Sequence, residues 1–434
     1  MAFPDGWGRK CKITIPAAKI AGSNVNFPLL LTGANLPAEM LDGGANSALN
    51  GGGDIRFSED VAGLSPLAAE IVTLVTGALP TVEIWLKLPT LNTGAAKDIY
   101  VWYNKAGETQ PLVTDPLGRN AVWAAERLVC HMESTSPVDS SGNAVLTANA
   151  LTAASGPYGG ALDFNGVSSD IDCGAALLPA GDFTATALIK PDSTSGFNGL
   201  IGNWSSADKA TGYMGIVSGK AAINDYGANS GTSSGVATLS TGVWYRITAV
   251  RSGADWRIYI NGALDAEFLG LNLSAPSVSY NTWIGALTAG TQYFYDGLIA
   301  DIRLSDVANS ADREFTEYTN QSDPATFAAA GTPEAAAGAA LVIQAAAQGL
   351  TSTSISLAQF QDLVISGAGQ GHAVDSPALL HLQELVIANA ACGLGSGNVT
   401  IYEPSPYSPA ARRTDSPARA TRTISPNSTR TIRI

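Results

Sequence analysis

Asp255-Trp256-Arg257-Ile258-Tyr259-Ile260 alternates at period two and runs directly into Asn261-Gly262. Alternation at that period puts successive side chains on opposite faces of a strand. Here Trp256, Ile258 and Ile260 share one face. Asn-Gly supplies the two positive-φ positions of a tight hairpin turn, after which Ala263-Leu264 starts a return strand. The same grammar recurs along the chain. Lys12-Ile13-Thr14-Ile15, Asp54-Ile55-Arg56-Phe57, Val82 to Pro89, Ile99 to Asn104 and Gly242 to Arg251 are short, β-branched or aromatic runs bounded by Gly, Pro or Asn. Such a chain reads as mainly β, with β-sandwiches.

Composition narrows the partners. Of the 434 residues, 45% are apolar, which excludes a disordered chain. No run reaches the ~18–20 apolar residues of a membrane helix, so no membrane insertion is expected. Charged residues make up 14% and the net charge is −13, a poor match to phosphate, so no nucleic acid is expected. The start, Met1 to Lys10, carries no apolar secretory core, which reads as synthesis in a host cytoplasm without export. Cys11, Cys130, Cys173 and Cys392 match no zinc or haem spacing and read as free thiols, a Cys130–Cys173 disulfide being the weaker alternative.

Two stretches carry resemblances. Trp7, Arg9, Ile13-Thr14-Ile15, Phe27-Pro28-Leu29, Gly53 to Phe57, Ile84 to Lys87 and Ile99 to Asn104 resemble a small uncharacterised β-domain that often precedes laminin-G-like modules in bacterial and phage surface proteins. It implies a β-sandwich over residues 1–112. Gly160-Ala161-Leu162-Asp163-Phe164-Asn165-Gly166, the pair Trp244 and Ile260-Asn261-Gly262, Gly297 to Leu304 and the ending Phe315-Thr316-Glu317-Tyr318 resemble the concanavalin A/laminin-G-like jelly-roll superfamily. That match implies a jelly roll over residues 120–322.

An Ala/Pro/Gly linker is expected at 323–339, followed by three repeats over 340–400. Leu341-Val342-Ile343, Leu363-Val364-Ile365 and Leu385-Val386-Ile387 are spaced by 22 residues, and Gly349, Gly371 and Gly393 keep the register. Thr332-Pro333 and Ser376-Pro377 look like helix starts with the glycines as stops, which favours short helices. The β-branched pairs favour the alternative, a β-solenoid. Gly371 to Leu379 resembles repeats of tailed-phage structural proteins. Residues 401–434 form an Arg-rich β tail, in which Thr421 to Ile424 recurs as Thr429 to Ile432 and reads as a hairpin. Arg412, Arg413, Arg419, Arg422, Arg430 and Arg433 make it a basic docking or oligomerisation element for an acidic neighbour.

Catalytic material is sparse. The histidines are His131, His372 and His381. There is no G-x-S-x-G elbow and no Walker loop; Gly51-Gly52-Gly53 reads as a hairpin loop. Asp163 with Asn165, and Asp170 with Asp172, are the carboxylate candidates, read as turn or edge groups rather than a glycosidase pair. Trp204, Asn224, Asp225, Tyr226, Tyr293 and Tyr295 are the candidate ligand-binding residues, since ring faces stack on sugars and core packing is the competing role. His372 and Asp375 are a remote metal-site candidate on a trimer axis. No cofactor is expected, and a structural calcium would need six to eight oxygen ligands that the sequence does not assemble. The expectation is a non-enzymatic virion protein of a tailed phage: fibre, tail tip or baseplate-associated, homo-oligomeric with a trimer favoured, bound to other virion proteins, its jelly roll facing a host glycan or pilus. A head-decoration or collar fibre and a jelly-roll polysaccharide depolymerase are the alternatives.

Overall fold

A computed structural model describes residues 3–203, 213–225, 231–271, 280–287, 290–336 and six short strand segments between 341 and 433. Contacts divide the chain into Arg9–Glu334 and a second unit, Met1–Gly8 with Ala335–Ile434. Among the described residues no helix is long and apolar enough to cross a membrane.

The larger unit holds two sandwiches. In the first, one sheet runs in the order Ala329–Ala330, Arg9–Ile15, Lys97–Tyr103, Arg56–Ser58, Pro66–Leu67. The facing sheet is Ser23–Thr32, Thr81–Asn92, Ala69–Val75. Period-two alternation sends Ile13, Ile15, Phe57, Ile99 and Val101 inward from one sheet and Leu29, Leu31, Ile84 and Leu86 from the other. Residues 324–330, expected in a linker, belong to this sandwich instead. Phe327 is buried against Phe27, ring centroids 6.3 Å apart, and Ala329–Ala330 extends the sheet beside Ile13 and Thr14. Burial of Phe327 and the added sheet pairing at Ala329–Ala330 offset the entropy of ordering the segment.

The second sandwich is the jelly roll. One sheet runs Thr152–Ser155, Gly160–Asn165, Asp296–Ser305, Phe183–Pro191, Tyr245–Ser252, Asp255–Ile260, Ala263–Phe268, with Glu126–Cys130 also on Asp296–Ser305. The other runs Gly231–Ser234, Lys220–Asp225, Tyr213–Val217, Phe197–Gly202, Trp283–Ile284, Asp170–Asp172, Thr147–Asn149. All pairings are antiparallel, and Leu162, Phe164, Ile189, Ile201, Ile216, Ile247, Ile258 and Ile302 fill the space between. The Asn-Gly hairpin forms as its residues dictate, with φ of 52° at Asn261 and 75° at Gly262. Cys130 and Cys173 are free and buried in this core, without the alternative disulfide.

The helix Ala311–Ser322 joins the sandwiches. Ser310 caps it by accepting from the Arg313 N–H. Its Asn320 amide accepts from Leu30 N at 2.7 Å and donates to Leu30 O at 3.0 Å. One side chain thereby satisfies both backbone groups of Leu30 on the edge strand Ser23–Thr32.

In the smaller unit, Leu341–Gln344, Asp362–Ser366 and Glu384–Ala388 are strands paired in parallel, with Leu341 opposite Leu363 and Leu363 opposite Leu385. Ser356–Ala358 pairs in parallel with Ala378–Leu380, also at a 22-residue offset. These described residues are not helical: the Thr332-Pro333 to Gly349 span expected as a helix contains the strand Leu341–Gln344. The Val-Ile pair of each copy suits a pleated ladder better than a helix. Ile432–Arg433 pairs antiparallel with Glu384 and Leu385. Its expected hairpin partner, Thr421 to Ile424, lies outside the described residues, as do Arg412, Arg413, Arg419, Arg422, Arg430, His372, Asp375 and Cys392.

Candidate functional site

The jelly roll's second sheet lines up one cross-strand row. Asp172 stands opposite Trp283, Trp283 opposite Gly202, Gly202 opposite Tyr213, and Tyr213 opposite Asn224. Neighbouring strands lie ~4.8 Å apart, so Trp283 and Tyr213 flank Gly202 about 10 Å from each other. In these strands Ile171, Ile284, Met214 and Ile223, each next to a row residue, point into the core. Asn224 and Asp225 thus close the strand Lys220–Asp225 at the end of the sheet that carries Trp283. Trp204 and Tyr226 lie outside the described residues.

The other two predicted residues do not join this row. Tyr293 lies toward the start of the strand Phe197–Gly202: its carbonyl accepts from Gly199 N and its ring is 5.5 Å from Phe197. Tyr295 is a core residue. It is fully buried edge-on against Phe164 at 6.2 Å, and its hydroxyl donates to Leu298 O at 3.2 Å. A ring with no exposed face cannot stack on a ligand, so Tyr295 leaves the binding set. Sequence reasoning passed over Trp283, which is half-buried, although it precedes a core isoleucine with strand alternation. Gly290 packs close on its ring, where a Cβ would stand 2.5 Å away.

Of the carboxylate candidates, Asp170 and Asp172 are committed to local structure. Asp170 accepts from Asn149 Nδ2 at 3.3 Å, and burial pushes its carboxyl up. Asp172 accepts from Asn281 Nδ2 and from Gly174 N. Asn165 accepts from the N–H groups of Val167, Ser168 and Ser169 and so organises a turn. Among the described residues no three His, Cys, Asp or Glu side chains are grouped to hold a metal ion.

The densest chemistry lies where the two sandwiches meet. His131, after the strand Glu126–Cys130, donates from Nδ1 to Asp301 at 3.1 Å and from Nε2 to Glu70 at 3.2 Å. Its ring stacks on Trp85 and tilts against Trp123, centroids 5.6 and 5.5 Å away. The Arg303 guanidinium lies 4.1 Å over Trp85 and 4.8 Å from Trp123, with Nε 2.7 Å from Asp301. Burial by itself would strip the proton from His131, but Glu70 and Asp301 outweigh it and push the imidazole up to about 10. Burial opposes the charge on Glu70 and Asp301 too, yet His131 holds Glu70 below the usual carboxylate range, and Arg303 with His131 does the same for Asp301. Glu83 is pushed well up by burial and by Glu133 beside it. Two cations thus face two carboxylates, with Glu83 holding its proton.

This arrangement has little catalytic capacity. An imidazolium donating from both nitrogens has no lone pair to act as a base. The Ser140 hydroxyl donates to Glu70 at 2.6 Å rather than to His131, so no nucleophile–base pair forms. A cleft of about 250 Å³ opens over Glu70 and His131, rimmed by Arg56, Arg119 and Glu133. The sequence carried a signal for this cluster in Glu83, Asp301 and Arg303, charges at alternate positions inside otherwise apolar strand runs.

Residues 165–313, about a third of the chain, match the family model of the concanavalin A-like lectin/glucanases superfamily. No curated protein sequence matches the chain. Among solved structures it is similar to domain 4 of AbnA, a GH43 extracellular arabinanase from Geobacillus stearothermophilus in complex with arabinotriose. Identity is 17%, the TM-score is 0.37, and the alignment covers 45% of this chain and 98% of that one. The botulinum neurotoxin serotype G binding domain aligns at 16% identity and TM-score 0.38, over 45% of this chain and 51% of its own. The binding domain of Paraclostridial Mosquitocidal Protein 1 aligns at 14% identity and TM-score 0.38, over 45% and 52%. The chain spans about half the length of these two toxin domains.

Proposed function

We propose that the chain is a non-enzymatic binding protein of a tailed-phage virion, placed at the tail as fibre, tip or baseplate-associated component. In this reading the jelly roll engages a host surface glycan or pilus, and the 22-residue repeats and basic tail attach the chain to other virion proteins or to copies of itself, as a trimer. The observation that carries the binding role is the jelly-roll match over residues 165–313. The cross-strand row with Trp283 at the strand ends supports it, and so does the engagement of His131, Asp170 and Asp172 in local hydrogen bonds. The 22-residue in-register strand pairing fits an elongated attachment segment.

Two measurements test the reading. Antibody to the chain should label the tails of intact particles and purified protein should coat host cells; label on the capsid instead would assign a head or collar fibre. Incubation with host capsule or lipopolysaccharide should release no new reducing ends, and their appearance would make the chain a depolymerase.

A further inference from the structure

The larger sheet of the jelly roll has a cavity of about 400 Å³ on its outer face, on the opposite sheet from Trp283. Four parts of the chain build it. Leu188 and Arg246, cross-strand partners, belong to the sheet, with Trp244 just before the strand Tyr245–Ser252. Tyr158 comes from the turn between Ser155 and Gly160, and Tyr318 and Gln321 from the helix Ala311–Ser322. Thr32 and Ala34 of the first sandwich complete the wall, so neither sandwich forms the cavity alone.

Its lining has a definite chemistry. Trp244 and Tyr158 are half-buried and rest on a small apolar cluster of Ala161, Leu188 and Ala300, which holds both rings in place. Arg246 is the lone cation among the lining residues, and its two terminal nitrogens are taken by Glu314 and by Glu317, the latter at 2.8 Å. No uncommitted positive charge is left to hold a carboxylate or phosphate. Two amides are among the uncommitted polar groups. Gln321 makes no side-chain hydrogen bond among the described residues, and Asn261 uses only its Oδ1, which accepts from Arg246 N at 2.9 Å. Arg246 Nε and the Tyr158 hydroxyl are buried and lack a hydrogen-bond partner among the described residues, an arrangement that costs free energy unless something supplies acceptors.

Aromatic rings with unpaired amide donors and acceptors, and no free charge, suit a ligand with an apolar C–H face and a ring of hydroxyls. The volume sits at the small end of the range for small-molecule sites, about 300–1,000 Å³. We infer that this cavity binds an uncharged saccharide of one or two pyranose rings, stacked on Trp244 and hydrogen-bonded by Gln321 and Asn261. The inference rests on the glycan-binding reading above and gives it a second, inter-sandwich location.

The test uses the full chain with cellobiose, maltose and lactose as probes, glucuronic acid as the charged comparison, and calorimetry or saturation-transfer NMR as the readout. At least one disaccharide should bind, and Trp244→Ala and Gln321→Ala should each weaken it, Trp244→Ala by about tenfold. Leu79→Ala, at an exposed position of the first sandwich away from the cavity, should leave affinity unchanged. Gln321→Ala removes a smaller side chain than Trp244→Ala, and an unchanged circular dichroism spectrum for each variant guards against misfolding. Loss of binding in Trp283→Ala alone would overturn this site and keep the glycan reading. Glucuronic acid binding as tightly as the neutral sugars would overturn the uncharged assignment. If no disaccharide binds while the protein still coats host cells, the cavity assignment falls and the attachment reading stands; if neither occurs, both fall.

Discussion

Replacing His131 by Phe removes the cation that Glu70 and Asp301 share while keeping a planar ring between Trp85 and Trp123. Packing changes little, so the electrostatic loss is isolated. Asp301 keeps Arg303, and Glu70 keeps the donors Ser140 and Trp123, but each loses a charged hydrogen bond at a buried junction. Breaking a buried ion pair on one side costs about 3–5 kcal/mol. Urea unfolding followed by tryptophan fluorescence should show a lower midpoint at an unchanged slope. The pH dependence adds a second check. His131 is pushed up to about 10 from an ordinary value near 6.5, so its stabilisation is fully present below that ordinary value and is lost as pH rises through about 10. Glu70 and Asp301 are held low, so theirs is present above the ordinary carboxylate range and lost as pH falls through their depressed values. The gap between wild type and variant should therefore be wide near neutrality and narrow toward alkaline pH. Equal stability at neutral pH, or a gap that stays constant into alkali, would refute the account of His131 as the cation joining the sandwiches.

Other consequences follow from single residues. Asn320→Leu should cost about 1–3 kcal/mol in thermal or urea unfolding, because the Leu30 N–H loses its side-chain acceptor and the Leu30 C=O keeps only the 3.5 Å contact from Asn35 Nδ2. Gly262→Ala should cost about 1–3 kcal/mol, since φ is 75° and the new Cβ would stand 2.7 Å from Tyr318 Cβ. Cys11, pushed up to about 11, and Cys130, pushed up to about 12, both by burial, should resist iodoacetamide in the folded protein and react once urea unfolds it. Deleting 22 residues, 362–383, should preserve the parallel pairing as read by circular dichroism, whereas deleting 21 should disrupt it by shifting every later residue to the other face.

Much of the architecture is local information. The alternation around Trp256 and Ile258 identified an inward face, Asn261-Gly262 identified the turn, and the 22-residue spacing of Leu-Val-Ile became the register of parallel pairing. Each follows from backbone geometry that a few neighbouring residues set for themselves. The helix expectation for the repeats failed where cap-like residues competed with β-branched ones, and the ladder satisfied the backbone of the latter. Tyr295 looked like a surface aromatic because period two identifies two faces without saying which is covered; tertiary packing covered it.

The junction between the sandwiches was decided by tertiary structure alone. Glu70 and Asp301 stand 61 and 170 residues from His131, and Phe327 returns to a core begun by Ile13. Nothing local announces such partners, because a carboxylate on the outer face of a strand is equally at home in water. It is driven to share a proton or a cation only when another domain docks over it and removes the solvent. The sequence by itself thus determined the strands, their inward faces and their turns. The docking of one sandwich on the other decided which outward charges became a buried cluster, and it walled the cavity beside Trp244.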